Sequence, residues 1–463
     1  MTDRFRRLWG RFLDLQRGST NSRIFGAMLT VGGLTMMVKL TVAAKDLVVA
    51  ARFGTSDALE AFLTAFIVPL FAVQVIAGSF SSSLIPTFIA VREREGRDAA
   101  QRLFSSVVIA GLALLVTTSL VLAASSGYLL PLLAARFSPE KLALTRTLFF
   151  LLLPILVVSG LGTTWAAVLN ASERFALAAI APLVTPLFPV VALLLGGSHV
   201  RFLVAGTVAG FLAEASLLGW GLKRCGFSLL PRWRGIDPGT KQVLAQYLPM
   251  FAGAALMSSN ILVDQAMTAL LGPGSVASLN YGNKVVSFVA GLGTISISSA
   301  VLPHFSRMVA LSDWVGLRHT VRFYLRLVMA VVIPLTAVFI FLSVPIVRLL
   351  FQRGAFTATD TALVGRIQAF SLCQVPFYVG STLLVRLISS LKANRILFWG
   401  AGINVVTNVV ADYLLSKWLG VAGIALSTAV VMAVSFTFLG IMLTRVFRQR
   451  STETSVVPLS LPS

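Results

Sequence analysis

Apolar stretches long enough to cross a bilayer recur along almost the whole chain, and this repetition restricts the fold more than any other feature. A helix needs about 20 apolar residues to traverse the hydrocarbon. Marking apolar runs and their polar breaks gives about twelve candidates, near residues 25–51, 58–86, 103–127, 143–168, 176–196, 201–222, 241–271, 277–302, 323–348, 360–391, 396–416 and 420–444. Lipid offers no partner for a backbone N–H or C=O, so each run must satisfy its own groups as a helix. With 57% hydrophobic and 12% charged residues in 463, the expected fold class is an all-α polytopic membrane protein. No room is left for a sizeable soluble domain.

The formal net charge of +21 would suggest nucleic acid in a soluble chain. Here the basic residues fall in short connections between spans, so the charge reads as topology and no nucleic-acid partner is expected. Arg4, Arg6, Arg7, Arg11, Arg17 and Arg23 precede the first span; Arg92, Arg94, Arg97 and Arg102 follow the second; Lys223, Arg224, Arg232, Arg234 and Lys241 follow the sixth. Positive-inside logic places both termini and the even-numbered loops in the cytoplasm. The start lacks the short apolar core and small-residue cleavage site of a signal peptide, so it reads as a retained cytoplasmic segment. Cys225 and Cys373 are far apart and the three histidines are isolated, which suggests neither a disulfide framework nor a metal cluster.

The chain repeats itself. SSSLIPTF at 81–88 matches SSAVLPHF at 298–305, and Asp46 precedes Gly54 by eight residues just as Asp264 precedes Gly272. A weaker echo links NASERF at 170–175 with LKANRI at 391–396. Six spans separate the copies, so the halves point the same way and form two parallel six-helix bundles related by an axis along the membrane normal. The expected division is a basic segment 1–24, a bundle 25–222, a cytoplasmic linker 223–240, a second bundle 241–445 and a tail 446–463. A transport pathway would run along the seam.

Charges inside spans are costly, at about 2.5–3.5 kcal/mol each on insertion scales, and normally face the bundle interior or a wet cavity. The first span, VKLTVAAKDLVVAARFG at 38–54, carries Lys39, Lys45 and Asp46; the second carries Glu60 near its outer end, and the eighth carries Lys284. Cations around a wet cavity suit an anionic substrate group, most simply phosphate, which lysine binds as a point charge. The alternative is mutual neutralisation, Lys45 with Asp46 or Asp264 with Lys284. In the second half, Asn404, Asn408 and Asp412 recur every four residues on one helical face, Thr428 lies on the last span and Asp264 on the seventh. This oxygen-rich set fits an alkali cation or a proton relay, or simple interhelical hydrogen bonding.

Several stretches together resemble the MurJ/MviN family of lipid-linked cell-wall precursor flippases, within the multidrug/oligosaccharidyl-lipid/polysaccharide exporter superfamily. They are LFQRGAFTATDTAL at 350–363, EAFLTAFIVP at 60–69 with GSFSSSLIPTF at 78–88, VLNASERFALAAIAP at 168–182, and GSVASLNYGNKV at 274–285. The resemblance spans about residues 25–445. It implies a V-shaped central cavity, alternating access, and cationic residues that engage the substrate diphosphate. Lys39 and Lys45 fall where the family usually has arginines, Asp46 matches an acidic position, Glu60 stands where aspartate is usual, and Lys284 occupies the cationic position of the eighth helix. Asp264, Asn408, Asp412 and Thr428 match a sodium-site pattern, to which Ile424 would add a backbone carbonyl. Departures are equally plain. PLFAVQVIAG at 69–78 lacks the arginine pair and Glu-Gly step of the second helix, lysine replaces arginine at each matched cavity position, and the family's typical members carry two helices beyond the twelve read here.

The expectation is therefore a non-enzymatic, monomeric inner-membrane flippase for a polyprenyl-diphosphate-linked saccharide, serving peptidoglycan or an exopolysaccharide. It would need no cofactor beyond a sodium ion and would work beside envelope-synthesis enzymes. The competing readings are a cation-coupled exporter of the multidrug branch, which a cationic cavity disfavours, and a transport-inactive scaffold, which would have no use for cavity charges.

Overall fold

In the computed structural model the described residues, 20–456 apart from 232–234, 236, 312, 392 and 394, are predominantly helical and contain no strand. Most of the expected N-terminal basic segment, part of the linker and residues 457–463 of the tail lie outside them. Helix α1 spans Thr20–Phe53, α2 Asp57–Glu95, α3 Arg97–Leu133, α4 Pro139–Leu152, α5 Pro154–Ala171 and α6 Phe175–Ile180. A 3₁₀ turn at Ala181–Leu183 leads to α7, Leu187–Gly196, and α8, Val200–Arg224. There follow α9 Pro238–Ala269, α10 Ser275–Ala310, α11 Trp314–Phe341, α12 Ser343–Phe351, α13 Ala358–Leu372, α14 Val375–Ser390, α15 Arg395–Leu419 and α16 Val421–Val456.

Nine helical stretches among the described residues are long and apolar enough to cross a membrane. The other three expected spans are α1, α9 and α10, of 34, 32 and 36 residues. These three carry Lys39, Lys45, Asp46, Asp264 and Lys284. Four expected continuous spans are broken, 176–196 between Ile180 and Leu187, 323–348 at Leu342, and two more at prolines. The run 143–168 divides at Leu153 before Pro154, and 360–391 divides at Cys373 and Gln374 before Pro376. Each proline lacks an N–H and sits in the first turn of the new helix, where none is needed. The two proline breaks fall at closely corresponding places in the two repeats.

The helices gather into two compact units that cut across chain order. One contains the chain up to Arg52 with Ala65–Gly127 and Thr145–Ala254; the other contains Phe53–Thr64, Tyr128–Leu144 and Ala255 onward. In the first, Phe88, Phe104, Leu103 and Leu222 are fully enclosed. The segment after α8 is held against the start of α3: Arg97 donates to the Cys225 carbonyl, and the Gln101 amide pairs with the Ser228 backbone at 2.9 and 3.2 Å. In the second, Phe305, Leu372, Leu383 and Leu387 centre one cluster, while Ile367, Ile424 and Ala425 form a smaller one. Helix–helix association in lipid depends on such close contact, because apolar burial alone supplies no drive there.

The second unit also fixes the loop 352–357. Thr357 and Asp360 form a reciprocal cap at the start of α13, and the same Asp360 carboxylate accepts from Thr55 Oγ1 at 2.7 Å. Next door, Gly54 has φ +54°, and a Cβ there would lie 2.4 Å from the Ala355 carbonyl oxygen. Both backbone conformation and space require glycine. Gly54→Ala should therefore lower stability by about 1–3 kcal/mol, read as an earlier thermal unfolding of the purified protein; an unchanged transition would refute this close approach.

Candidate functional site

In the first unit, Lys45 and Asp46 form an ion pair at 3.1 Å, with the Lys45 side chain 28% exposed and that of Asp46 10%. Adjacent residues on a helix do not share a face, so the long lysine stem must bend back over its buried neighbour. The lysine side chain stays partly exposed. Lys39 is half-buried and makes no ion pair among the described residues. Lys284 is half-buried on α10, in the second unit.

Glu60 departs from the expected substrate-facing role. It is completely enclosed, and its carboxylate accepts from the backbone N–H groups of Gly274 at 2.9 Å, Val276 at 2.6 Å and Ala277 at 3.2 Å. Lys141, at the start of α4, donates to Glu60 and, at 2.6 Å, to Asp57. A helix begins with four unsatisfied donors and a partial positive charge. Glu60 takes up both at the head of α10, and no oxygen is left to meet a substrate. Lys141, which the sequence did not single out, is its counter-ion; a lysine in the first turn of an apolar helix, where a carboxylate is the usual favourable residue, was the available signal.

A second cluster assembles around α9, α15 and α16. Asp264 Oδ1 accepts from Asn408 Nδ2 at 2.8 Å, and its carboxyl lies close to that of Asp412. Ser427, adjacent to the expected Thr428 but itself overlooked, donates to Asp412 Oδ1, and its hydroxyl oxygen lies 2.8 Å from the Ile424 carbonyl oxygen. Thr428 Oγ1 is 3.4 Å from that same carbonyl. Asn404 lies farther along the ladder, its amide donating to Ser435 at 3.3 Å. Asn408 and Asp412 are buried, yet Asn408 Oδ1 and Asp412 Oδ2 have no hydrogen-bond partner among the described residues. Unpartnered buried acceptors cost about 1–3 kcal/mol each, and two beside neighbouring carboxyls make a donor set that a small hard cation would satisfy.

The sequence profile described as lipid II flippase MurJ matches residues 49–461. A probable lipid II flippase MurJ of Synechocystis sp. is 28% identical over 432 residues, covering 89% of this chain and 80% of the relative. The lipid II flippase MurJ of Burkholderia cenocepacia is 25% identical over 365 residues, covering 75% and 69%. Among solved structures, an inward closed conformation of lipid II flippase MurJ superposes with TM-score 0.79 at 21% identity, covering 92% of this chain and 91% of that one. An inward-facing multidrug resistance transporter of the MATE family gives TM-score 0.74 at 12% identity, covering 93% and 100%. These structural likenesses establish a shared fold.

The two lysine pairs differ in burial, and so should their mutants. Removing one partner of a fully buried pair strands a charge and costs about 3–5 kcal/mol, whereas a partly exposed pair is worth about 1 kcal/mol or less. Lys141→Met should thus shift thermal unfolding far more than Lys45→Met. Equal shifts would show that Glu60 needs no counter-ion.

Proposed function

We propose a transport cycle on the premise that this chain belongs to the MurJ lipid II flippase family, whose members are multi-pass transporters of the bacterial inner membrane rather than enzymes. The chain moves a lipid-linked peptidoglycan precursor, a polyprenyl-diphosphate-linked saccharide, from the cytoplasmic to the periplasmic leaflet. Both termini lie on the cytoplasmic side, in keeping with the basic loops. The lipid tail stays in the bilayer while the polar head crosses through water, and the two six-helix repeats alternate access to either side.

The observation that carries this reading, beside family membership, is the partly exposed Lys45–Asp46 pair on α1. Asp46 keeps the Lys45 ammonium neutralised in the empty state, which limits the cost of holding a cation at membrane depth. An arriving diphosphate displaces Asp46 as counter-ion, so the lysine is paired throughout the cycle. Lys39, on the same helix, adds positive charge for the same group. Lysine binds as a point charge without the bidentate geometry of arginine, which suits a headgroup that must be released on the other side.

Sodium at Asp264, Asn408, Asp412, the Ile424 carbonyl and Thr428 biases the cycle. Two adjacent carboxylates repel in a low-dielectric bundle, and a cation between them relieves that repulsion. A ligand can shift a conformational equilibrium only by its differential affinity for the two states, and this cage supplies one if its three helices part during transport.

Lys45→Ala should abolish translocation in a fluorescent lipid-linked precursor assay while membrane insertion stays intact, and Lys45→Arg should retain transport; loss of protein from the membrane would point to a folding role. Thermal unfolding should shift upward in sodium relative to potassium at equal ionic strength, by RT ln(1 + [Na⁺]/Kd) in free energy. Asp412→Asn should erase that sodium-over-potassium difference. No sodium-specific shift in the wild type would eliminate the cation reading.

A further inference from the structure

A lone acidic residue in the sixth span has no place in the cycle above. Glu214 is the fifteenth of the 25 residues of α8, so at 1.5 Å per residue it sits about 15 Å from the nearer helix end, too deep for a short side chain to reach water at a membrane face. Among the described residues no lysine, arginine or histidine forms an ion pair with it. It receives one hydrogen bond, from Thr185 Oγ1. Thr185 lies in the non-helical stretch between the 3₁₀ turn and α7, pressed so closely on α8 that a Cβ on Gly210 would be 2.4 Å from the Thr185 carbonyl oxygen.

Glu214 lines a cavity of about 310 Å³ inside the first unit. The other polar groups around it offer oxygen. Ser81 and Thr163 also line it, and each hydroxyl proton is spent on its own helix, Ser81 on the Ala77 carbonyl at 2.9 Å and Thr163 on the Ser159 carbonyl at 2.8 Å. Their lone pairs remain. Asn170 adds an amide, and Ala178 and Pro182 complete the break in the fifth span. Pro182 has no N–H to give the Ala178 carbonyl four residues back. Interrupted membrane helices expose carbonyls in this way, and such carbonyls commonly coordinate cations.

We infer that this cavity is a second cation site, separate from the Asp264–Asp412 cluster, which takes a monovalent alkali ion with part of its water. The carboxylate supplies the charge, and the hydroxyl, amide and carbonyl oxygens supply the hard ligands such ions prefer. A water occupies about 30 Å³ in the liquid, so the space holds an ion together with several waters. A site that leaves its ion hydrated discriminates weakly by size, and sodium and potassium should both bind. This inference concerns the Glu214 cavity alone and does not depend on the diphosphate reading.

The test uses the purified full chain carrying Asp412→Asn, which silences the other cluster. Thermal unfolding is measured in sodium, potassium or choline chloride at fixed pH and ionic strength. The expected result is an upward shift in both alkali salts relative to choline. Adding Glu214→Gln should remove it, and adding Thr163→Val should weaken the apparent affinity by about tenfold, as ligand count tunes such sites. No difference between alkali salts and choline in Asp412→Asn overturns the inference, as does a difference that survives Glu214→Gln. A transition that moves with pH but ignores the salt identifies a proton site and overturns it equally. If the Glu214→Gln protein does not fold, titration of Asp412→Asn with each salt and the Thr163→Val comparison decide the matter.

Discussion

The enclosed carboxylate of Glu60 is the interaction on which much of the second unit depends. Three backbone amides at the head of α10 and the ammonium of Lys141 converge on it. It thereby joins the starts of α2, α4 and α10, segments widely separated in the chain. Charge-assisted hydrogen bonds are roughly twice as strong as neutral ones, and a helix N-terminus adds its dipole. A carboxylate in this position is expensive to bury alone and fully compensated in company. That is why the short segment Phe53–Thr64 belongs with the second unit rather than with the rest of α1 and α2.

Elsewhere the intramembrane charges are handled in different ways, and the differences separate architecture from function. Glu60 and Lys141 are saturated and closed, which makes them structural. Lys45 is paired but partly exposed, which leaves it able to exchange partners. Asp264 and Asp412 are gathered with amides and hydroxyls, with Asn408 Oδ1 and Asp412 Oδ2 lacking a hydrogen-bond partner among the described residues, and Glu214 faces oxygen lone pairs with only a threonine donor. Satisfaction of the charge, rather than its presence, distinguishes the four cases.

The all-helical class of the described residues and the polar ladder on α15 were legible because each rests on a local period: length of apolar run or spacing of four. The interruptions at Pro154 and Pro376 were visible as prolines but not as breaks, since a membrane helix can keep a proline when neighbours satisfy the freed carbonyl; Pro69, Pro249 and Pro334 do lie within helices. Ser427 stood beside Thr428 and was passed over because a serine on an apolar helix usually bonds its own backbone. Glu214 carried the plain signal of an ionisable residue in a span and had no partner in the sequence to give it a role.

What the sequence determined by itself was the solvent and the class of structure: lipid admits only self-satisfied backbones, so recurring apolar runs dictate helices, and basic loops dictate an expected orientation. What only the tertiary structure decided was which charges are spent. Glu60 and Asp46 look alike in the sequence, each an acid near an end of an apolar run. One meets three amides and a lysine from distant segments, the other pairs with the lysine beside it on the same helix, whose side chain stays partly exposed. The free energy of a buried charge depends on groups within a few ångströms, and those neighbours are set by folding rather than by position along the chain.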